Sequence, residues 1–175
     1  MNQEFLNPQK VLSELELHEN MIAADFGSGS GGWAMPLAKR LKEGKIYAID
    51  ILEEPLSALE SRARAGKIFN IKTVLSNIEN KGGSKLPDES CDLVLMTNLL
   101  FQCENKNLVL EEGKRVLKSG GRILIVDWKE DSPLGPEKGR ISAKKVKETT
   151  KELGLKLKKE FKAGDYHYGL IFEKP

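Results

Sequence analysis

The stretch Asp25-Phe26-Gly27-Ser28-Gly29-Ser30-Gly31-Gly32 decides how the rest of the chain is read. It follows the apolar run Met21 to Phe26, which has the composition of a buried strand, and it precedes Trp33 to Leu41, which reads as a helix. Glycines between a strand and a helix let the backbone turn sharply and come close to a ligand, because no Cβ stands in the way. In an open parallel sheet, ligands bind beyond the carboxyl ends of the strands, where this loop falls.

The same alternation continues outward. Lys45 to Asp50, Ile71 to Leu75, Cys91 to Thr97 and Arg122 to Asp127 read as further strands. Between them lie an amphipathic helix to about Ala65, opened by Pro55 in its first turn, and a helix from about Asn105 to Leu117. Gly120-Gly121 is expected to break the chain before the fifth strand. Near-continuous apolar strands alternating with helices predict a parallel sheet covered on both faces, and right-handed crossovers make it doubly wound. The tail differs. Ser142 can cap a helix that stops at Gly154; Leu155 to Lys158 and Tyr166 to Phe172 then read as two strands around Ala163-Gly164-Asp165. The fold class expected is therefore α/β: a doubly wound, mostly parallel seven-stranded sheet, helices on both faces, closed by a C-terminal antiparallel hairpin.

The length, 175 residues, suits one domain over 1–175. Hydrophobic residues make up 39% and charged residues 31%, an ordinary globular composition. No apolar run reaches the roughly 20 residues that cross a bilayer. Met1-Asn2-Gln3-Glu4-Phe5-Leu6 has neither a basic start nor an apolar core, so no secretory signal is expected. Cys91 and Cys103 match neither a disulfide framework nor a metal-ligand pair, so reduced thiols, a cytoplasmic location and no metal are expected. The net charge of +2 points to no polyanionic partner. Lys144, Lys145, Lys147, Lys151, Lys156, Lys158 and Lys159 crowd the tail; a solvated face is the favoured reading, and a patch for nucleic acid or a membrane surface is the sharper one.

Two patterns fit the glycine loop. Gly27, Gly29 and Gly32 match the dinucleotide fingerprint; Asp25, Gly27, Gly29 and Gly31 match the acidic-x-G-x-G-x-G pattern of Rossmann-like methyltransferases. Asp50 ends the second strand, where an acid can take ribose hydroxyls in either case. Three features favour the second pattern. Asp25 would oppose a pyrophosphate but suits a cofactor carrying an ammonium and a sulfonium. The chain is short for a dehydrogenase with a substrate domain. The closing hairpin belongs to the methyltransferase arrangement.

At these residues the chain resembles the class I S-adenosylmethionine-dependent methyltransferases over nearly its whole length. It is most similar to the small-molecule branch that includes ubiquinone and menaquinone biosynthesis enzymes, through Val109 to Arg122. The resemblance implies S-adenosylmethionine as cofactor and S-adenosylhomocysteine as product. It implies that Asp25, Gly27, Ser28, Gly29 and Gly31 hold the methionine part, that Asp50 takes the ribose and that Ile51 packs on adenine. Ser76-Asn77-Ile78 stands where the family often has an acid, here replaced by Asn77, whose amide oxygen can still accept from an adenine amino group. Thr97-Asn98-Leu99-Leu100-Phe101 resembles the motif under the transferring methyl, and it lacks the Asn/Asp-Pro-Pro-aromatic sequence of many nucleic-acid and protein N-methyltransferases.

Trp33 reads either as core or as a wall of the cofactor pocket. Asn98, Phe101, Trp128, Tyr166 and His167 are candidate substrate contacts. His167 is the best titratable candidate for a general base, although an ordinary structural role suits it too. A small-molecule acceptor is expected, held by the segment around Phe5 and Leu6, the loop after Thr97, the Trp128-to-Arg140 loop and the final hairpin. Lys129 to Gly139 reads as a mobile active-site loop. Rival readings are an RNA or protein methyltransferase using the lysine-rich tail, a non-catalytic cofactor-binding protein, and a dehydrogenase. Two cysteines are too few for arsenic methylation, which uses several.

Overall fold

The computed structural model describes residues 3–175; Met1 and Asn2 of the opening stretch lie outside the described residues. The chain runs α1 (Pro8–Leu12), β1 (Ile22–Phe26), α2 (Ala34–Arg40), β2 (Lys45–Asp50), α3 (Glu53–Ala65), β3 (Ile71–Leu75), β4 (Cys91–Thr97), a 3-10 turn (Leu100–Gln102), α4 (Lys106–Val116), β5 (Leu117–Trp128), α5 (Ala143–Glu152), β6 (Lys156–Ala163) and β7 (His167–Glu173). All seven strands share one sheet in the order β3-β2-β1-β4-β5-β7-β6. The first five are parallel, and β7 runs antiparallel to both β5 and β6.

Period-two alternation divides the apolar side chains of the central strands between two cores. Ala24, Phe26, Val94, Met96, Ile123 and Ile125 belong to one, packed with Val109, Leu110 and Val116 of α4. Ala23, Leu93, Leu95, Leu124 and Val126 belong to the other, with Leu12 of α1 and Leu37 of α2. Burial on both faces explains why these strands read as unbroken apolar runs. The common direction of β1 to β5 places their carboxyl ends, with the loops that follow, along one edge of the sheet.

The glycine pair at 120–121 does not end the ordered chain. β5 starts at Leu117, and a register shift between Cys91 and Leu93 absorbs the extra residues. Gly120, at φ +77°, donates its N–H to Lys174 O, and Gly121 O accepts from Lys174 N, so the tail covers the irregularity. The hairpin is longer than its alternation suggests. β6 is an edge strand exposed over most of its length, studded with lysines, a pattern that discourages edge-to-edge pairing. Of the seven tail lysines, Lys145, Lys147, Lys158 and Lys159 face Glu148, Glu160, Glu173 and Glu14. Four of the seven thus have a carboxylate partner within the fold, and Lys144, Lys151 and Lys156 have none among the described residues.

One polar cluster holds the long connection between β3 and β4. Buried Glu112 accepts from both Ser84 N and Ser84 Oγ, while Arg115 donates to Glu112, to Leu86 O and to Asp88. Burial alone raises the Glu112 carboxyl, but the Arg115 and Ser84 hydrogen bonds outweigh it and hold Glu112 below its ordinary range. Glu112→Ala leaves the Ser84 N–H and O–H donors without their acceptor and is expected to lower stability by about 2 kcal/mol. The midpoint of urea unfolding measures this, and an unchanged midpoint contradicts it.

Candidate functional site

A cleft of about 450 Å³ opens at the carboxyl ends of β1, β2 and β3. Gly27 and Gly29 form one side, Asp50, Ile51 and Leu52 the lip, and Asn77, Ile78 and Glu79 the far wall. The loop is tight because it bonds to itself and to β2. Gly27 N and Ser28 N donate to Ile49 O at 2.8 and 3.0 Å, Gly31 N to Ser28 O at 3.0 Å, and Gly29 N to Asp50 Oδ2 at 2.8 Å. Gly27, Gly29 and Gly31 all have positive φ. A Cβ on Gly31 would lie 2.2 Å from Leu59 Cδ1, and one on Gly27 2.7 Å from Leu99 Cδ1. Four N–H groups of the loop are thus consumed inside the protein, which leaves them no part in cradling a pyrophosphate.

The electrostatics point the same way. Asp25 is fully buried and neither carboxyl oxygen has a hydrogen-bond partner. Burial, then the neighbouring Asp50 carboxylate, push its pKa up to about 7; the nearby N–H of Ala34, which falls short of hydrogen-bond geometry, offsets this only in part. Asp50 accepts from Gly29 N and Leu52 N at the cleft lip. Two neighbouring carboxyl groups repel a phosphate and suit a cation. The exposed apolar surfaces of Ile51 and Leu52, 61% and 60% accessible, flank this acid and offer a platform for a flat ring.

The unpartnered polar atoms are informative as a set. Among the described residues, the buried side-chain atoms without a partner belong to Asp25, Ser28, Asn98 and His167. Buried polar groups are nearly always paired in folded proteins. All four residues lie at one sheet edge: Asp25 near the end of β1, Ser28 in the glycine loop, Asn98 just beyond β4, and His167 opposite Trp128 at the end of β5. Asn98 is held at φ +50°, a strained conformation that clusters at functional sites.

The remaining residues read from the sequence divide into three groups. Asn77 lines the cleft, but its Oδ1 already accepts from Glu79 N at 2.9 Å, so one lone pair is left for a ligand. Thr97 is buried and stands two residues past Leu95, the register partner of Asp25, so it shares the Asp25 face without lining the cleft. Trp33, at the N-cap position of α2, is 8% exposed and packs in the core with Leu12 and Leu37 rather than on the cleft wall.

The acceptor candidates lie beyond the cleft. The Trp128 and His167 rings are 4.0 Å apart and tilted by 40°, and Tyr166 packs on Phe5 at 5.9 Å. Burial, then the charge of Lys129, lower His167 to about 4, so it is a neutral imidazole at pH 7. The alternation question is settled by pairing: Tyr168 faces the α4 core and donates to Ile141 O, while His167 faces the opposite side. Phe5 and Leu6 do not line this cleft; they line a separate groove that reaches the glycine loop at Gly32.

The 129–139 loop is tied down. Arg140 donates to the carbonyls of Lys129, Glu130, Ser132, Leu134 and Pro136. Gly135 sits against the Trp128 ring and Gly139 against Phe101 O, where a Cβ would come within 2.5 and 2.1 Å. Arg140→Ala is expected to free this loop at a cost of about 1–2 kcal/mol. Hydrogen exchange across residues 129–141 checks it; unchanged protection contradicts it.

Several cleft residues carry no sequence signature. Gln102 and Cys103 arrive on the 3-10 turn, which has no periodic pattern. Asp127 anchors that turn: it accepts from Phe101 N and Trp128 N, and burial raises it to about 6. Glu79 brings an acid to the cleft wall two residues after Asn77.

These features coincide with what known proteins show. Residues 17–169 match the methyltransferase domain family. An uncharacterized protein of Methanocaldococcus jannaschii is 34% identical over 147 residues, 75% of this chain and 63% of that protein. A ubiquinone/menaquinone biosynthesis C-methyltransferase of Hydrogenovibrio crunogenus is 31% identical over 109 residues, 61% of this chain and 42% of the enzyme. The chain thus spans about half the length of these curated relatives. The crystal structure of an S-adenosylmethionine-dependent methyltransferase from Aquifex aeolicus superposes with a TM-score of 0.86 at 28% identity, covering 95% of this chain and 89% of that one. With the glycine loop, the paired acids and the seven-stranded sheet in place, the chain belongs to the class I S-adenosylmethionine-dependent methyltransferases.

Proposed function

We propose that residues 1–175 act as one catalytic domain that transfers a methyl group from S-adenosylmethionine to a small-molecule acceptor in the cytoplasm. The observation that carries this reading is the set of unpartnered buried polar groups at the carboxyl edge of the sheet, among them Asp25, next to a cleft whose lip carries the Asp50 carboxylate. Asp25 and Ser28 would face the methionine part, Asp50 the ribose, and Ile51, Asn77 and Ile78 the adenine. When bound, the cofactor supplies a methyl group already activated by its sulfonium.

The chain's own task is alignment and exclusion of water. Asn98 and His167 supply unpaired donors and acceptors beyond β4 and β5, where an acceptor's heteroatom can be oriented. A neutral imidazole lowered to about 4 suits hydrogen bonding to an acceptor more than deprotonating a weak acid. The relative named for ubiquinone and menaquinone biosynthesis supports a small acceptor. The ion-paired tail lysines weigh against an RNA or protein substrate.

Thermal unfolding with S-adenosylmethionine, S-adenosylhomocysteine and NAD tests the cofactor. Stabilisation of about 2.7 kcal/mol is expected at one hundred times the dissociation constant of either adenosyl ligand. No shift at millimolar ligand would sink the reading. Labelled methyl transfer to small-molecule fractions, with RNA and protein fractions alongside, tests the acceptor class; label in RNA or protein alone overturns it.

A further inference from the structure

We infer that the face formed by the C-terminal ends of α2 and α3 docks on an anionic phospholipid surface, with Phe69 as the inserted anchor. Phe69 is 83% exposed, the most exposed of the large apolar side chains among the described residues. It does not sit on a loose loop. Ile68 N donates to Ala63 O at 2.9 Å, and Asn70 Nδ2 donates to Ala38 O and Leu41 O at 3.1 and 2.7 Å. Lys67, at φ +53°, makes the sharp turn that projects the ring. The fold therefore fixes an aromatic side chain in water, where burial within the chain would be favourable.

Cations ring it. Two grooves meet at Ile68 and Phe69; one is lined by Lys39, Lys42 and Lys67, the other by Arg64 and Lys72. Lys39 also lines a third groove beside Phe5 and Met35, where it is joined by Arg62. Of these six cations, only Lys42 has a carboxylate within 4 Å among the described residues, that of Glu19. The acid lining these grooves is Glu60, which is engaged with the Thr73 hydroxyl. The contrast with the tail is direct, because there most lysines have carboxylate partners. Basic residues at helix C-termini complement the helix dipole, which accounts for Lys39, Arg62 and Arg64. It does not account for Lys72, on β3, or for the projecting ring.

A single apolar anchor within a compact ring of long cationic side chains fits the membrane interface, where the stems lie against acyl chains and the charges reach anionic headgroups. Single-stranded nucleic acid needs a track with successive stacking platforms, and the two grooves that meet at Phe69 are lined by no second aromatic ring. A second copy of this face would oppose like charges. The inference is independent of the proposed reaction, since it concerns a surface apart from the cofactor cleft.

Co-sedimentation with vesicles tests it. The whole chain is expected to pellet with phosphatidylcholine vesicles containing phosphatidylglycerol, to remain in solution with phosphatidylcholine alone, and to be released by raised salt. Phe69→Ser is expected to weaken binding roughly tenfold. Lys67→Glu and Lys72→Glu are each expected to weaken it at least about fivefold. Lys156→Glu on β6 should leave binding unchanged. These side chains are exposed, and circular dichroism verifies that each variant is folded. Absence from the anionic pellet overturns the inference. So do equal binding to neutral vesicles, insensitivity to Phe69→Ser, and retention of a single-stranded oligonucleotide in preference to vesicles.

Discussion

Asp50→Ala is expected to weaken binding of S-adenosylhomocysteine by about a hundredfold. The Asp50 carboxylate lies at the lip of the cleft and already accepts from Gly29 N and Leu52 N. Each oxygen retains acceptor capacity for a ribose hydroxyl, and two charge-assisted hydrogen bonds contribute roughly 3 kcal/mol. The substitution also releases the Gly29 and Leu52 N–H groups, so the glycine loop loses its tie to β2. Both N–H groups sit near solvent, and the cost to the ligand-free protein should stay near 1 kcal/mol. Titration calorimetry separates the effects when combined with unfolding of the ligand-free variant. Unchanged affinity would remove Asp50 from the site. A collapse in ligand-free stability would instead assign it to the loop's structure.

The second large effect concerns Asp25. Its carboxyl group is raised from 3.8 to about 7 by burial and by Asp50. A group whose folded pKa is raised contributes most to stability while protonated in both states, below about pH 4. That contribution falls as pH rises to about 7, because folding then forces either proton uptake or a buried charge. Roughly three pKa units correspond to about 4 kcal/mol. Asp25→Asn removes this penalty, so the variant should gain stability relative to the parent between pH 4 and 7, reaching about 4 kcal/mol above pH 7. Asp127, raised to about 6, and His167, lowered to about 4, titrate in the same range with opposite signs. They cancel in the difference between variant and parent. Denaturant unfolding from pH 4 to 8 gives the curve, and a flat difference contradicts the buried ionisation.

The same residue ties stability to the proposed function. A cationic ligand near Asp25 favours the carboxylate, so affinity for S-adenosylmethionine should rise with pH through about 7 and lose that dependence in Asp25→Asn. A more stable variant that binds the cofactor poorly is the expected trade-off at a site holding an uncompensated buried charge.

The chain's local signals already contained the layer order. Strands buried on both faces lack polar alternation, so each appears as an apolar run, and the helices between them carry caps at Asn105 and Ser142. The positions of Gly27, Gly29, Gly31 and Asp50 were legible because backbone conformation and strand ends are local properties. Three features were not legible. Trp33 joined the core with residues of α1 and the central strands, contacts distant in the chain, and propensity alone does not choose between core and cleft. Gln102, Cys103 and Glu79 reached the cleft through a 3-10 turn and a connection held by Glu112 and Arg115, both non-local contacts. The Gly120-Gly121 pair continued β5 because Lys174, 54 residues or so further along, bonded to it. Period, composition and turn chemistry thus determined the sheet and the glycine loop by themselves. Only the tertiary structure decided which buried polar groups remained unpaired and which cations found a carboxylate, because pairing depends on residues distant in the chain meeting at hydrogen-bond range.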